Sequence, residues 1–401
     1  MKARFGRWEL RIDVAYKSLN ENFQRSSAAT RWRSYKTADS DILILADGIG
    51  QRRKANILST LTSKILGTMI FERSDAGRVR GHHCADAAGV PGAACGLFHV
   101  SASCRCSRTG KTYLVEFDNP GCIFIRDGKL VPIPKNLRTI EGKQINEYRF
   151  QVKRGDALIL MSDGTVHAGV GQLLNFGWQW EDIAAYAVKQ YAVTVSAIRL
   201  AASICQACDE LYMMRPGDDT TVACMRIIDK KSVHLMTGPA SNPEDDQKMV
   251  ANFMSDAEAK TVVCGGTSAT IVSRVLNRPM DVSLDYSDPE IPPIAYINGI
   301  DLVTEGVLTL NRVLQLLRRF VQNETVAEDF FEELDKPNGA SMIARMIIED
   351  CTELHMYVGK AINSAYQNPD LPFDLGIRQN LVDQLKKTIE EMGKPVTVTY
   401  Y

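Results

Sequence analysis

Three aspartates are the first residues in this sequence whose surroundings suggest chemistry. Asp47 closes the apolar run DILILA and is followed by Gly48, giving ADGIG. Asp163 follows ALILM after one serine and is followed by Gly164, giving MSDG. Asp218 stands in PGDDTTV, just before the apolar run TTVACMRII. If the third run pairs antiparallel to the first two, its start lies beside their ends and the three carboxylates converge at one rim of a sheet. Such a cluster of hard oxygen donors suits Mg²⁺ or Mn²⁺, and Gly48 leaves its carbonyl open to approach because no Cβ stands in the way. Asp-Gly is also a common turn dipeptide, so any one of these sites alone reads as a turn. The three together leave the two readings evenly balanced on spacing alone.

The elements that must position these residues are legible. Asp41–Ala46, Thr112–Phe117, Cys122–Arg126, Tyr148–Val152 and Ala157–Met161 are short, β-branched or aromatic, and bounded by turn residues, as strands are. Asp127-Gly128 is a hairpin signal. Ala55–Phe71 carries Ile57, Leu58, Leu61, Ile65, Leu66 and Met69 on a helical stripe, and Trp180–Met214 is helical with a break near Ala192–Ser196. Thr220–Ile228 returns to strand. Runs of strands with few helices predict an α+β class over residues 1–229. From Lys230 the rhythm becomes β-α-β-α-β, the order of an open parallel sheet, through VHLMTG, a helix Glu244–Met254, TVVCGG, a helix Ser268–Leu276 and MDVSLDY. Helices Leu308–Phe320 and Ser341–Glu349, the strand ELHMYVG, a helix Ile377–Met392 and the strand VTVTYY complete a smaller, Rossmann-like α/β domain over 230–401.

Bulk properties narrow the function. A chain of 401 residues exceeds what one core organises. Its net charge of -1 gives no field to recruit nucleic acid or an anionic membrane, and no apolar run reaches bilayer length. MKARFGRWELRIDVAY lacks the continuous apolar segment of a secretory signal. Of ten cysteines, Cys122, Cys205, Cys208, Cys224, Cys264 and Cys351 sit in apolar strand-like or helix-like segments. A reducing cytoplasm is the expected location.

ADGIG, LILMSDG and GDDTTV, in that order and with a long helix after the first, resemble the metal-binding motifs of the PPM (protein phosphatase 2C-like) superfamily. The closest likeness is to the bacterial branch containing the stage II sporulation protein E phosphatase domain, over residues 10–229. The resemblance implies an antiparallel β-sandwich flanked by helices, with two Mn²⁺ or Mg²⁺ ions as cofactors. It further implies that Asp47 bridges the ions, that the Gly48 carbonyl binds one of them, and that Asp163 and Asp218 complete the set. Asp219 and Thr220 would support the strand start behind them. The implied reaction is hydrolysis of phosphoserine or phosphothreonine on a bacterial signalling protein by a water that the two metals activate. No cysteine or histidine nucleophile is needed.

Two stretches depart from the family pattern. Residues 22–36 contain no acidic residue where the family places a Gly-Asp pair. Residues 73–108 turn abruptly to Gly, Ala, Arg, His and Cys, with His82, His83, His99, Cys84, Cys95, Cys104 and Cys106. Zinc binding is one reading, but the spacing fits no standard ligand pattern. The favoured reading is out-of-frame translation. Read one frame over through GC-rich codons, Gln24–Arg33 regains a Gly-Asp pair, and the later stretch yields an amphipathic helix and a hairpin strand. Gln51-Arg52-Arg53 likewise places bulky cations where the family has small residues. The alternative function is therefore a catalytically weakened phosphatase-fold module that senses a phosphoprotein or ligand.

The remaining features read as structural. Cys205-x-x-Cys208 lies on the apolar face of a helix, Asp118-Asn119-Pro120 ends a strand, and Trp178 and Trp180 pack where a helix begins. His167 could contact phosphate but reads more readily as a loop histidine without a role. In the second domain, Cys264-Gly265-Gly266-Thr267-Ser268 opens a helix whose free N–H groups favour a small anionic ligand, although a plain tight turn is the commoner case. Asp301 and Glu305 form a weaker polar cluster. A regulatory role for residues 230–401 is the expectation.

Overall fold

Short β-branched runs that alternate inward and outward build the first half of the molecule. The structure, a computed structural model, describes residues 10–19, 31–36, 40–47, 99–116, 119–140, 143–194, 196–282, 293–322, 328–361 and 374–401. The chain divides into two compact units, Met1–Asp229 and Lys230–Tyr401. The helix expected over Ala55–Phe71 lies outside the described residues.

In the first unit the described strands are β1 (Arg11–Leu19), β2 (Arg31–Lys36), β3 (Ser40–Asp47), β4 (His99–Ser107), β5 (Lys111–Glu116) and β6 (Ile123–Arg126). They are followed by β7 (Lys129–Leu130), β8 (Lys135–Ile140), β9 (Lys143–Gln151), β10 (Ala157–Met161) and β11 (Thr220–Ile228). Helices α1 (Asp163–Val166), α2 (Trp180–Val193) and α3 (Ala197–Leu211) lie between β10 and β11. Two antiparallel sheets form, ordered β1-β11-β10-β6-β7 and β2-β3-β4-β5-β9-β8. Their facing sides share one core. Leu43, Leu45, Cys104, Cys106 and Leu114 of the second sheet pack with Leu158, Leu160, Ala223 and Met225 of the first. The other side of the first sheet buries Ile159, Met161, Val222 and Cys224 against Ile183, Leu200 and Ile204 of α2 and α3. This is the α+β sandwich with flanking helices. A central strand covered on both faces has no polar side, which is why ALILM reads as an unbroken apolar run.

The break in the long helical segment falls between Val193 and Ala197. Ser196 caps α3 by accepting the Arg199 N–H at 3.4 Å, and the Thr194 hydroxyl bonds back to the Gln190 carbonyl at 2.8 Å. Residues 99–107, part of the atypical stretch, fold in their literal sequence as β4, a strand with β3 on one side and β5 on the other. Small residues suffice there: Ala102, Cys104 and Cys106 face the core, while Arg105 bonds Ser40 Oγ at 3.2 Å. Among the described residues eight cysteines are free thiols, and all except Cys122 are buried.

The second unit has strands β12 (Ser232–Thr237), β13 (Lys260–Cys264), β14 (Met280–Val282), β15 (Ala295–Ile297), β16 (Leu302–Thr304), β17 (Glu353–Val358) and β18 (Val396–Tyr400). Its helices are α4 (Asp246–Phe253), α5 (Gly266–Leu276), α6 (Val307–Gln322), α7 (Glu328–Leu334), α8 (Gly339–Arg345) and α9 (Asp374–Glu391). The sheet order is β14-β15-β16-β13-β12-β17-β18. β16, β13, β12, β17 and β18 are mutually parallel, while β15 runs against both of its neighbours. The parallel order expected from the sequence holds for the strands read there, and β15, which that reading did not include, is the exception. Asn298-Gly299, with Gly299 at φ +79, is a hairpin turn between β15 and β16, and a hairpin reverses direction. α4 and α5 cover one face through Met249, Val250, Phe253, Ala269 and Val272 against Met236, Val263 and Val303. α6 packs with α8 and α9. The β16-to-β17 crossover runs the opposite way along the sheet from β12-to-β13, so right-handed connection puts α6 on the opposite face.

Candidate metal centre

β10 and β11 pair antiparallel with Met161 opposite Val222, so the end of one lies beside the start of the other. Ser162 fastens that junction. Its N–H donates to the Thr221 carbonyl at 2.9 Å, its Oγ accepts the Thr221 N–H at 2.9 Å, and its hydroxyl reaches the Asp219 carbonyl at 3.3 Å. The chain then enters the single turn of α1 at Asp163. Gly164 is required here by contact: a Cβ would stand 2.7 Å from both the Asp219 carbonyl oxygen and Thr220 Oγ1. The Tyr212 hydroxyl, buried at the end of α3, donates to the Gly164 carbonyl at 2.7 Å.

This clamp brings Asp163 and Asp218 together and adds His167, at the C-terminal cap of α1. One ligand atom from each of the three lies within 4.8 Å of the others. Asp218 is set by its neighbours. The Asp219 N–H donates to Asp218 Oδ1 at 2.8 Å, and the Thr220 hydroxyl bonds the Asp218 carbonyl at 3.3 Å. Although solvent reaches Asp218, partial desolvation by the surrounding loop and then repulsion from Asp163 hold its carboxyl above the ordinary value. His167 and the Asp219 N–H act against that rise without cancelling it. Two carboxylates and an imidazole crowded at one rim form a donor set that fits a hard divalent cation, which would relieve the repulsion.

Of the other expected ligands, Asp47 is the last residue of β3, opposite His99 of β4 in the second sheet, and Gly48 lies outside the described residues. Arg52 and Arg53 also lie outside them, as does Asp118. Asp219 and Thr220 stand behind Asp218 and bond as just described. His167, read from sequence as a loop histidine without a role, belongs to the cluster. Its spacing of four from Asp163 was the available signal, since residues four apart on a helical turn share a face.

The features read as structural behave so. Cys205 and Cys208 are buried, and burial pushes Cys205 up to about 12 and Cys208 upward as well. Trp180 Nε1–H donates to the Gly121 carbonyl at 2.7 Å, and Trp178 packs edge-on to Tyr186. Asp301 is occupied within the fold, its Oδ2 accepting the Thr261 N–H at 2.7 Å and the Thr261 hydroxyl at 3.0 Å. Among the described residues Cys104 and Cys106 have no metal-ligand partners; the one group with metal-binding geometry is that of Asp163, His167 and Asp218. Among the same residues no helix is long and apolar enough to cross a membrane.

Residues 39–228 match the sequence profile of the family described as Stage II sporulation protein E. No curated protein matches the chain in sequence. Solved structures similar to it include the RsbU and RsbW domains of a Mycobacterium tuberculosis protein, at 14% identity, covering 62% of this chain and 71% of that one, with a TM-score of 0.44. The phosphatase domain of the cell fate determinant SpoIIE from Bacillus subtilis is 15% identical, with coverage of 56% and 95% and a TM-score of 0.41. The catalytic domain of the serine/threonine protein phosphatase PstP, solved with 2 manganese ions, is 17% identical, with coverage of 55% and 100% and a TM-score of 0.34.

Proposed function

Because residues 39–228 make up a domain of the stage II sporulation protein E family, homologous to PP2C-type serine/threonine phosphatases, we propose that the first unit hydrolyses phosphoserine or phosphothreonine on a bacterial signalling protein. The observation that carries this reading is the meeting of Asp163, His167 and Asp218 at the β10–β11 rim. Two Mn²⁺ or Mg²⁺ ions are the proposed cofactors, held by Asp163 and Asp218 together with Asp47 and the Gly48 carbonyl. When bound they would supply Lewis acidity toward a phosphoryl oxygen and toward water. The chain's own part is positioning. Ser162 and Tyr212 fix the turn that presents Asp163, and the Asp219 N–H orients the Asp218 carboxylate. His167, exposed at the lip of the cluster, is placed to hold either a cation or a phosphoryl oxygen.

The second unit is proposed to be regulatory, with a small oxyanion-bearing ligand as its input, and the whole chain to work in the cytoplasm. A second reading, a weakened phosphatase-fold module that senses a phosphoprotein or ligand, draws on two features of the sequence: no acidic residue stands between Glu21 and Asp39 ahead of the first motif, and the bulky cations Arg52 and Arg53 follow it. Mn²⁺-dependent hydrolysis of a chromogenic aryl phosphate by the purified chain decides between them. The enzyme reading expects turnover that Asp163→Ala removes; equal rates from the two proteins would leave only the sensing module.

A further inference from the structure

The second unit contains polar groups that its own fold leaves unanswered. β13 ends at Cys264 and turns through Gly265, at φ +115, straight into α5; β16 ends at Thr304 and turns through Glu305 and Gly306 into α6. The turns touch. Gly265 N–H donates to the Thr304 carbonyl at 2.9 Å, and a Cβ on Gly306 would stand 3.4 Å from Gly265 Cα. β13 and β16 are parallel neighbours, yet their helices leave toward opposite faces. An open α/β sheet forms a crevice at its carboxyl edge where neighbouring connections diverge in this way.

The α5 side of this crevice is rich in donors. Gly265 has no side chain to cap the helix, so the N–H groups of Gly266, Thr267 and Ser268 have no partner within it. Gly266 and Thr267 are exposed, and nothing lies within 4 Å of where Gly266 would carry a Cβ. Beneath them Ser268 is 1% exposed, and its Oγ has no hydrogen-bond partner. That oxygen lies 3.6 Å from the position of a Cβ on Gly265, so it faces the turn. Thr309, the third residue of α6 as Ser268 is of α5, is also 1% exposed with an unpartnered hydroxyl. Buried hydroxyls normally find partners, and orphan donors at a helix start favour an oxyanion.

A bare anion answers only half of this arrangement. Glu305 sits in the same pair of turns and accepts the Leu308 N–H through Oε2 at 3.2 Å, capping α6. Its charge opposes phosphate or sulfate on the neighbouring helix. A ligand that carries a cationic donor beside its oxyanion satisfies both ends. We infer that the crevice between the α5 and α6 openings binds a compact zwitterion, an α-amino acid. Its carboxylate sits on the Gly266–Ser268 N–H groups and the Ser268 hydroxyl, and its ammonium faces Glu305. The inference rests on the sensing role proposed for the second unit and narrows it to one ligand class.

The test is thermal unfolding of the full chain with each common α-amino acid at millimolar concentration, with potassium phosphate, acetate and propylamine as controls. At least one amino acid is expected to raise Tm by about 3–6 °C, and none of the controls to match it. Calorimetric titration with that amino acid should show about tenfold weaker binding to Ser268→Ala and loss of the preference over acetate in Glu305→Gln. Ser268→Ala removes only an unpartnered hydroxyl, so its fold is expected to hold. Equal stabilisation by phosphate would overturn the zwitterion while leaving an anion sensor. Silence from every compound would overturn the sensor as well, and neither result bears on aryl phosphate hydrolysis by the first unit.

Discussion

The end of β10 and the end of β13 are both places where a strand stops at a glycine-containing turn and a helix begins, yet they are prepared for opposite guests. At β10 the turn presents side-chain carboxylates, and partial burial, with the neighbouring Asp163 adding to it, holds the Asp218 carboxyl above its ordinary value. At β13 the turn presents backbone N–H groups and a buried hydroxyl, with one carboxylate set to the side. The first arrangement suits a cation, and the second suits a group that accepts hydrogen bonds. A strand-to-helix junction therefore has no fixed chemistry; the residues just after the strand decide its sign.

The contrast is broken most severely by removing the charge that defines the first site. Asp163→Ala is expected to lower Mn²⁺-dependent aryl phosphate hydrolysis by at least about a hundredfold with the thermal midpoint little changed, as steady-state rates and a melting curve would record. Gly164→Ala should damage both fold and site. Its Cβ meets main-chain oxygen at 2.7 Å, and the displacement should cost about 1–3 kcal/mol in denaturant titration. Tyr212→Phe keeps the ring and loses the bond to the Gly164 carbonyl. It should cost about 1 kcal/mol and reduce the rate by about tenfold, which would separate positioning from ligation.

The smallest effect belongs to the second unit and to pH. Burial works against the charge of Glu353, but hydrogen bonds from Lys230, His355 and Ser232 outweigh it and hold the carboxyl down to about 2, against an ordinary 4.5. A depressed acid contributes stability above its unfolded value and loses it as pH falls toward the folded one. Glu353→Gln should therefore be less stable than the parent by about 1 kcal/mol at neutral pH, after allowing for solvent screening, with the gap closing between pH 4.5 and 2. A constant gap across that window would show that the network has no electrostatic share in stability.

Much of this was legible in the sequence for identifiable reasons. ALILM and TTVACMRII are buried on both faces, so their runs are unbroken, and the helical break near Ser196 announced itself through a capping residue. What stayed hidden depended on pairing. β8 alternates too weakly to stand out, and β15 has three residues whose direction is set by the Asn298-Gly299 turn rather than by their own composition. β4 was hidden by its small side chains, because HVSASCRCS gains its strand character from neighbours on both sides. Asp163 and Asp218 could be named from the motifs, whereas His167 needed the knowledge that one helical turn follows Asp163 directly.

The seven buried thiols have a further consequence. Burial raises Cys106 to about 11 and Cys351 to about 11, and lifts Cys104 and Cys224 well above the ordinary thiol value, so alkylating reagents meet almost no thiolate while the walls around them stay closed. Each sulfur is thus a silent clock that starts when its own layer parts. Mass-resolved labelling of Cys104 and Cys106 would time the parting of the two facing sheets, and that of Cys264 and Cys351 would time the second unit. A ligand seated in either unit would slow the clocks of that unit.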